Sequence, residues 1–338
     1  MTLAPSSVDC NRFVIAEQPR GNTPGSPETC LVPDLPGQNS KENVLSDFAT
    51  TVAIQRNPRS GSGIRAAQLK KLVDGLKHLG IEPLLFTDRE QFAEQLQSED
   101  FRQKLKCIVA AGGDGTIDDL INRHPGLPLA ILPMGNENLL ARQFGIPQDG
   151  NKVAQIIARG YSKTIDLGQA GSHRFAVMAS CGLDAEIIEW VHRKRTGHIT
   201  KLNYIGPILK RLWLNRCESL RVFSSESSSP RICEMVVIAN LPRYALNLSL
   251  CPDAIENNGL FDVCLFKSAN RWNMTLNFLR GILTSKIESP LVERFRTDSL
   301  RIESDKPVAI QADGDPLGET PLEFKILPQA LELIVPEP

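Results

Sequence analysis

From residue 50 onward the chain alternates short unbroken apolar runs with stretches of helical period. The run Thr51-Val52-Ala53-Ile54 predicts a strand, and it ends in the turn formers Asn57-Pro58-Arg59-Ser60-Gly61-Ser62-Gly63. Leu69, Leu72, Val73 and Leu76 follow at helical spacing, and Gly80 stands where a C-terminal cap belongs. Further strands are predicted over 82–86, 107–111 and 128–132. A polar helix is predicted over 89–98, a helix after Thr116 and a short helix over 138–144. The 107–111 run is apolar at every position, as suits a parallel strand covered on both faces. This alternation predicts a doubly wound α/β domain over residues 48–165.

Past residue 165 the rhythm changes. Strands are predicted over 175–179, 220–223, 232–239 and 260–266, then over 300–303, 308–312, 322–326 and 331–335, with helical stretches near 200–215 and 270–284. The serine-rich 224–229 stretch reads as a surface hairpin loop. Residues 166–338 are therefore expected to form a β-rich domain whose last strands pack back on the first domain. Pro5, Pro19, Pro24, Pro27, Pro33 and Pro36 recur among polar residues without helical or strand period, so residues 1–47 are expected to be a disordered tail.

Composition narrows the function. With 38 Lys+Arg against 39 Asp+Glu among 338 residues, no net field draws the molecule onto nucleic acid, and any such attraction must be local. The eight cysteines form no CxxC pair and most lie in apolar runs, where a thiol behaves as a small hydrophobe, so a reducing cytoplasm is expected. No run reaches the roughly 18 apolar residues of a membrane-spanning helix, and the five histidines lack zinc-ligand spacing.

The most informative stretch is Gly112-Gly113-Asp114-Gly115-Thr116, between a buried strand and a helix. Three glycines let backbone N–H groups approach an anion, and the helix amino end adds a favourable dipole for phosphate. Asp114 would then position Mg²⁺ or accept a proton, and Thr116 cap the helix or touch phosphate. An ordinary strand-to-helix turn is the bland alternative; the two glycines ahead of Asp114 favour phosphate. Asn57–Gly63 lacks the GxxxxGK[ST] pattern of a P-loop. A third loop, Pro133-Met134-Gly135-Asn136-Glu137-Asn138, again joins strand to helix, which sets three such loops on the carboxyl edge of one sheet, where doubly wound folds bind ligands.

The series NPRSGSG, GGDGT, LAILPMGNENLLAR, Cys181-Gly182-Leu183-Asp184-Ala185, Asn203-Tyr204-Ile205-Gly206, Cys251-Pro252-Asp253-Ala254 and Asp313-Gly314-Asp315, in this order over residues 52–335, resembles the diacylglycerol kinase catalytic domain family in its bacterial lipid-kinase and sphingosine-kinase-like branches. The resemblance implies an NAD-kinase-like α/β domain followed by a β-sandwich, ATP with Mg²⁺, and a lipid hydroxyl as acceptor. It implies that Asn57, Gly61, Gly112, Gly113, Gly115, Thr116, Gly135, Asn136 and Asn138 line the nucleotide. It makes Asp313, Asp315 and Asp114 the catalytic and metal-binding carboxylates. Read from the residues alone, Asp313-Gly314 is a hairpin turn. The chain departs from the family at Asn136 (usually Thr), at Asp315 (usually Glu), and at Asn257-Asn258, where an acidic pair often holds a structural Mg²⁺.

Residues 190–217 carry Arg193, Lys194, Arg195, Lys201, Lys210, Arg211 and Arg216 with Trp190, Tyr204 and Trp213 and no acidic residue. They read either as a solvated helix face or as a surface for anionic headgroups, which would make a cytoplasmic enzyme transiently membrane-associated. The leading expectation is an ATP-dependent kinase of diacylglycerol or a related lipid alcohol, with homodimerisation left open. The alternatives are a kinase of a soluble, NAD-like acceptor and a non-catalytic lipid- or nucleotide-binding protein.

Overall fold

The computed structural model describes residues 50–56, 64–193, 217–242, 250–268 and 289–338. The expected tail over 1–47, the 57–63 loop with Asn57 and Gly61, the helices over 200–215 and 270–284 and most of the basic stretch lie outside the described residues. The first lobe runs β1 (Thr51–Arg56), α1 (Ile64–His78), β2 (Glu82–Phe86), α2 (Arg89–Gln95), α3 (Glu99–Lys104), β3 (Leu105–Gly112), α4 (Asp114–Arg123), β4 (Leu129–Pro133), α5 (Leu139–Gln143) and α6 (Gly150–Arg159). The second runs β5 (Ser162–Ala170), β6 (His173–Phe175), β7 (Met178–Gly182), α7 (Leu183–Arg193), β8 (Leu220–Ser224), β9 (Ser227–Cys233), β10 (Met235–Ala239) and β11 (Phe261–Phe266). It closes with β12 (Val292–Thr297), β13 (Ser299–Ser304), β14 (Ala309–Ala312), β15 (Asp315–Glu319) and β16 (Leu322–Ile334).

β2, β1, β3 and β4 are parallel neighbours in that order; β1, β3 and β4 are buried along nearly their whole length, as parallel strands covered on both faces are, while the edge strand β2 buries only Phe86. α1 buries Leu69, Leu72, Val73 and Leu76 and ends at Gly80, whose φ of 74° is left-handed. The helix expected over 89–98 stops at Gln95, and a second helix that was not expected begins at Glu99, capped by Ser98 accepting from Phe101 N–H at 3.4 Å. α6, absent from the expectation, is capped by Asp149 accepting from Lys152 N–H at 3.0 Å and buries Val153, Ala154 and Ile157.

The second lobe is a sandwich. One face is the antiparallel sheet β12-β11-β10-β7-β14-β15; the other is built from β5, β6, β16, β13, β8 and β9. Between them lie Phe175, Val263, Ile302, Ile310 and Phe324, and the Phe175 ring stacks on Phe261 with centroids 5.8 Å apart. A Cβ on Gly168 would stand 2.0 Å from the Phe175 ring, so only glycine leaves that ring its place. The expected serine-rich loop shrinks to a turn, and Ser227–Cys233 pairs with β8. The two strands expected over 322–326 and 331–335 are one strand with an irregularity between Leu327 and Leu331. β16 pairs with β13 and β5 and also runs parallel to β4 at Leu333 opposite Leu129. No helix among the described residues is long and apolar enough to cross a membrane.

Candidate active site

β3 and β4 end side by side, and the loops that leave them touch backbone to backbone. Met134 N–H donates to Gly112 O at 2.7 Å. A Cβ on Gly112 would lie 2.1 Å from Thr116 Oγ1, and one on Gly135 would lie 2.6 Å from Gly113 Cα and 2.7 Å from Asn138 Oδ1. No side chain fits at either position without displacing its neighbours. Asn138, itself left-handed at φ 48°, closes the second loop with its amide: Oδ1 accepts from Gly135 N–H at 2.8 Å and Nδ2 donates to Gly135 O at 3.0 Å. Asn136 is exposed at the tip of this turn.

Asp114 faces the second loop. Its Oδ1 accepts from Leu139 N–H, the first residue of α5, at 2.8 Å. Burial pushes its carboxyl above the usual range, and the backbone donors of Leu139 and Asn138 pull it back. Thus Asp114 ties the two glycine loops together. Three buried polar atoms on this sheet edge have no hydrogen-bond partner: Thr116 Oγ1, Gln55 Oε1 and Arg56 Nε. Buried hydroxyls are normally satisfied, so the orphaned Thr116 beside glycines that hold the backbone open fits a site that receives phosphate oxygens.

The second lobe brings a hairpin turn to this edge. Ala312 pairs with Asp315, leaving Asp313 (φ 47°) and Gly314 (φ 91°) as a two-residue turn with both residues left-handed, a geometry that Asp-Gly favours. The hairpin turn read from Asp313-Gly314 is thus the local structure of this pair. Asp313 Oδ2 accepts from Ala176 N–H at 2.6 Å, and Oδ1 accepts from Val177 and Met178 N–H at 2.9 Å each. An ionised carboxylate offers about four lone-pair sites, so these three donors leave one open. The residue as a whole is half-buried, but its carboxylate is enclosed, and burial pushes that carboxyl up to about 7 against the three donors.

Asp315 points at the first lobe. Its Oδ2 is 3.7 Å from where a Cβ on Gly115 would be, so the GGDGT loop and the Asp313–Asp315 turn meet across the lobes. A Mg²⁺ ion bound by one or two carboxylates plus nucleotide phosphates needs no larger protein donor set than Asp315 provides. Asp114 and Asp313 direct their carboxylates to backbone N–H groups.

Side chains that sequence reasoning missed complete the arrangement. Gln311 Oε1 accepts from Gly314 N–H at 2.9 Å, while its Nε2 donates to Ser180 Oγ at 2.9 Å and to Asp184 Oδ2 at 3.2 Å, fixing the turn to the start of α7. His192 Nε2 is 3.4 Å from Asp315 Oδ1. Asp118, one turn beyond Asp114 on α4, lies 2.8 Å from His173 Nε2. The one sequence signal for the last pair was the polar stripe Asp114, Asp118, Asn122 on a helix that otherwise buries Thr116, Ile117, Leu120 and Ile121. At Asn257-Asn258, Asn258 Oδ1 accepts from Leu260 N–H at 3.0 Å, and the buried Asp166 accepts from Gly259 and Gln329 N–H at 2.7 and 2.8 Å.

Comparison with known proteins gives the same two parts. Residues 51–170 match the model of the diacylglycerol kinase catalytic domain, and residues 177–335 match that of the YegS C-terminal NAD kinase beta sandwich-like domain. A diacylglycerol kinase of Mycobacterium tuberculosis is 25% identical over 289 residues, covering 83% of this chain and 93% of its own. A Pseudomonas putida protein named "Probable lipid kinase YegS-like" is 29% identical over 254 residues, covering 72% and 82%. The crystal structure of a diacylglycerol kinase from Bacillus anthracis superposes with a TM-score of 0.64 at 19% identity, covering 86% of this chain and 98% of that one, a likeness of fold. With both halves matched in order, the chain belongs to the diacylglycerol kinase catalytic domain family, a family of phosphotransferases with an NAD-kinase-like fold.

Proposed function

We propose that this protein transfers the γ-phosphate of ATP to the hydroxyl of diacylglycerol or a related lipid alcohol. The approach of Asp315 to Gly115 carries the reading, because it sets a carboxylate turn of one lobe against a phosphate-binding loop of the other. Gly112, Gly113, Gly115 and Gly135 give backbone access to the phosphates, and the Thr116 hydroxyl gains in them the partner it otherwise lacks. Asn57 and Gly61 extend this cradle by family resemblance. Asp315 is the residue that would hold Mg²⁺, which would supply charge neutralisation on the phosphates. Asp313 takes the proton of the acceptor hydroxyl as its oxygen bonds to the γ-phosphorus and the bond to ADP breaks. A carboxyl near 7 suits a base working at neutral pH. Asp114 acts indirectly, by holding the Gly135 loop at Leu139.

Because the acceptor lies in a bilayer, the basic and aromatic residues of 190–217 serve as a reversible contact with anionic lipid. The test is transfer of radiolabelled γ-phosphate to extracted lipids, followed by identification of the product. Labelling of a soluble dinucleotide in place of any lipid rejects the acceptor assignment; no labelling of any alcohol rejects the kinase.

A further inference from the structure

The reacting groups sit on two separate elements, α4 with its glycine loop and the β14–β15 turn, and the stretch 173–178 touches both. At one end Asn122 grips the backbone of Arg174 in both directions: Nδ2 donates to Arg174 O at 2.9 Å and Oδ1 accepts from Arg174 N–H at 2.7 Å. Beside it His173 Nε2 meets Asp118 Oδ1 at 2.8 Å. At the other end the N–H groups of Ala176, Val177 and Met178 hold the Asp313 carboxylate, and Asp313 N–H returns to Met178 O at 2.9 Å. The piece between is stiff. Phe175 is buried and stacked on Phe261, Ala176 O accepts from Asn240 Nδ2 at 2.8 Å, and Val177 O accepts from the N–H groups of Asn240 and Leu241.

We propose that Asn122 and the Asp118–His173 pair are positioning residues, which set Asp313 relative to the GGDGT loop through the strut 173–178. The helix that begins at the phosphate loop thereby grips, one and two turns further on, the same segment that supplies the donors to Asp313. Proton abstraction from a bound hydroxyl tolerates little displacement of the base, and a shift of about 1 Å costs on the order of a hundredfold in rate. The next residue, Asp119, pairs with Arg89 and Arg123, so its charge is directed away from His173. The hydrogen bond to Asp118 holds the His173 imidazole above its ordinary proton affinity against desolvation, and the charges of Asp118, Asp313 and Asp315 act in the same direction.

The proposal rests on the kinase reading for its activity assay, but not for its structural one. In the full-length chain, Asn122→Ala should lower kcat by about ten- to a hundredfold. The equilibrium Kd for ATP should stay within about twofold, since the glycine loops precede the clasp. Hydrogen exchange at the amides of 176–178 should accelerate by about tenfold or more, with β1 and β3 unchanged. His173→Leu covers the case in which Asn122→Ala fails to fold: it should lower kcat in the same way, and His173→Lys, which keeps a donor for Asp118, should restore most of it. A folded Asn122→Ala or His173→Leu protein with kcat within about twofold of wild type and unchanged exchange at 176–178 overturns the proposal. So does exchange that accelerates evenly over the whole chain, which would mark the clasp as general stability. If the wild type labels no lipid, the kinase reading fails, and exchange at 176–178 still decides the role of the clasp.

Discussion

Asp313 should impose a pH limit on the reaction that few carboxylates can. Burial raises this carboxyl from 3.8 to about 7, opposed by the N–H groups of Met178, Ala176 and Val177. Only the ionised form can accept the acceptor's proton, so kcat/KM, which reports the free enzyme, should be level above about pH 8 and fall tenfold per unit below about 7. At about pH 5.5 the loss is roughly thirtyfold. The same shift enters stability with the opposite preference. The folded chain binds this proton more tightly than the unfolded one, so its contribution is fully present below about pH 4 and lost as pH rises through about 7, by about 4 kcal/mol. The assay is initial-rate phosphorylation of a short-chain, detergent-dispersed acceptor at saturating Mg²⁺ between about pH 5.5 and 9, with thermal unfolding across the same range. Asp313→Asn should lower turnover by about two to four orders of magnitude and flatten both profiles. A wild-type kcat/KM that is unchanged from about pH 8 to about pH 5.5 would refute both the base assignment and the burial behind it.

Three further outcomes are expected. Asp114→Asn should remove most activity by loosening the Gly135 loop, yet cost only about 1 kcal/mol in thermal unfolding, the usual worth of a helix-capping contact; turnover near wild type would show the link from α4 to α5 to be dispensable. Thr116→Val removes a buried hydroxyl with no partner, so unfolding temperature should hold or rise while the Kd for ATP, read by calorimetry, weakens by about five- to tenfold; unchanged affinity would place the phosphates elsewhere. Changing Arg193, Lys194, Arg195, Lys210 and Arg211 to Gln should abolish co-sedimentation with anionic vesicles at low salt while sparing activity on a detergent-dispersed acceptor, since each basic residue near such a surface contributes about 1 kcal/mol; retained vesicle binding would leave the stretch a solvated face.

The parallel core was legible because β1, β3 and β4 are unbroken apolar runs and the glycines after them punctuate the chain where the sheet ends. α6 was missed although its cap and apolar face are plain once seen: a ten-residue helix between two loops has little length for a period to declare itself. β16 read as two strands because Pro328 and the left-handed Gln329 interrupt its alternation, and only the pairing with β5 on both sides of them shows one strand. The motifs of the site could be read off one by one, but not their meeting. Nothing local says that Asp315 faces Gly115, or that Asp313 is held by backbone 135 to 137 residues away. Asp118 and His173, 55 residues apart, are each unremarkable alone, and only the fold makes them a pair.

β16 also constrains how the chain can be made and divided. The outer neighbour of β4 is the last strand of the sequence, and Val335 N–H still bonds back to Tyr161 O at 3.0 Å. When residue 165 is added every helix of the nucleotide lobe has been made but not the strand that covers its sheet edge, so β4 stays open on that side until β16 has followed. Contacts of such long sequence separation slow folding and leave an unpaired edge open to aggregation. A fragment cut after residue 165 would keep that edge for good. The two lobes are therefore poor candidates for separate expression, and a late truncation that removes only Leu331–Val335 should harm the first lobe as much as the second.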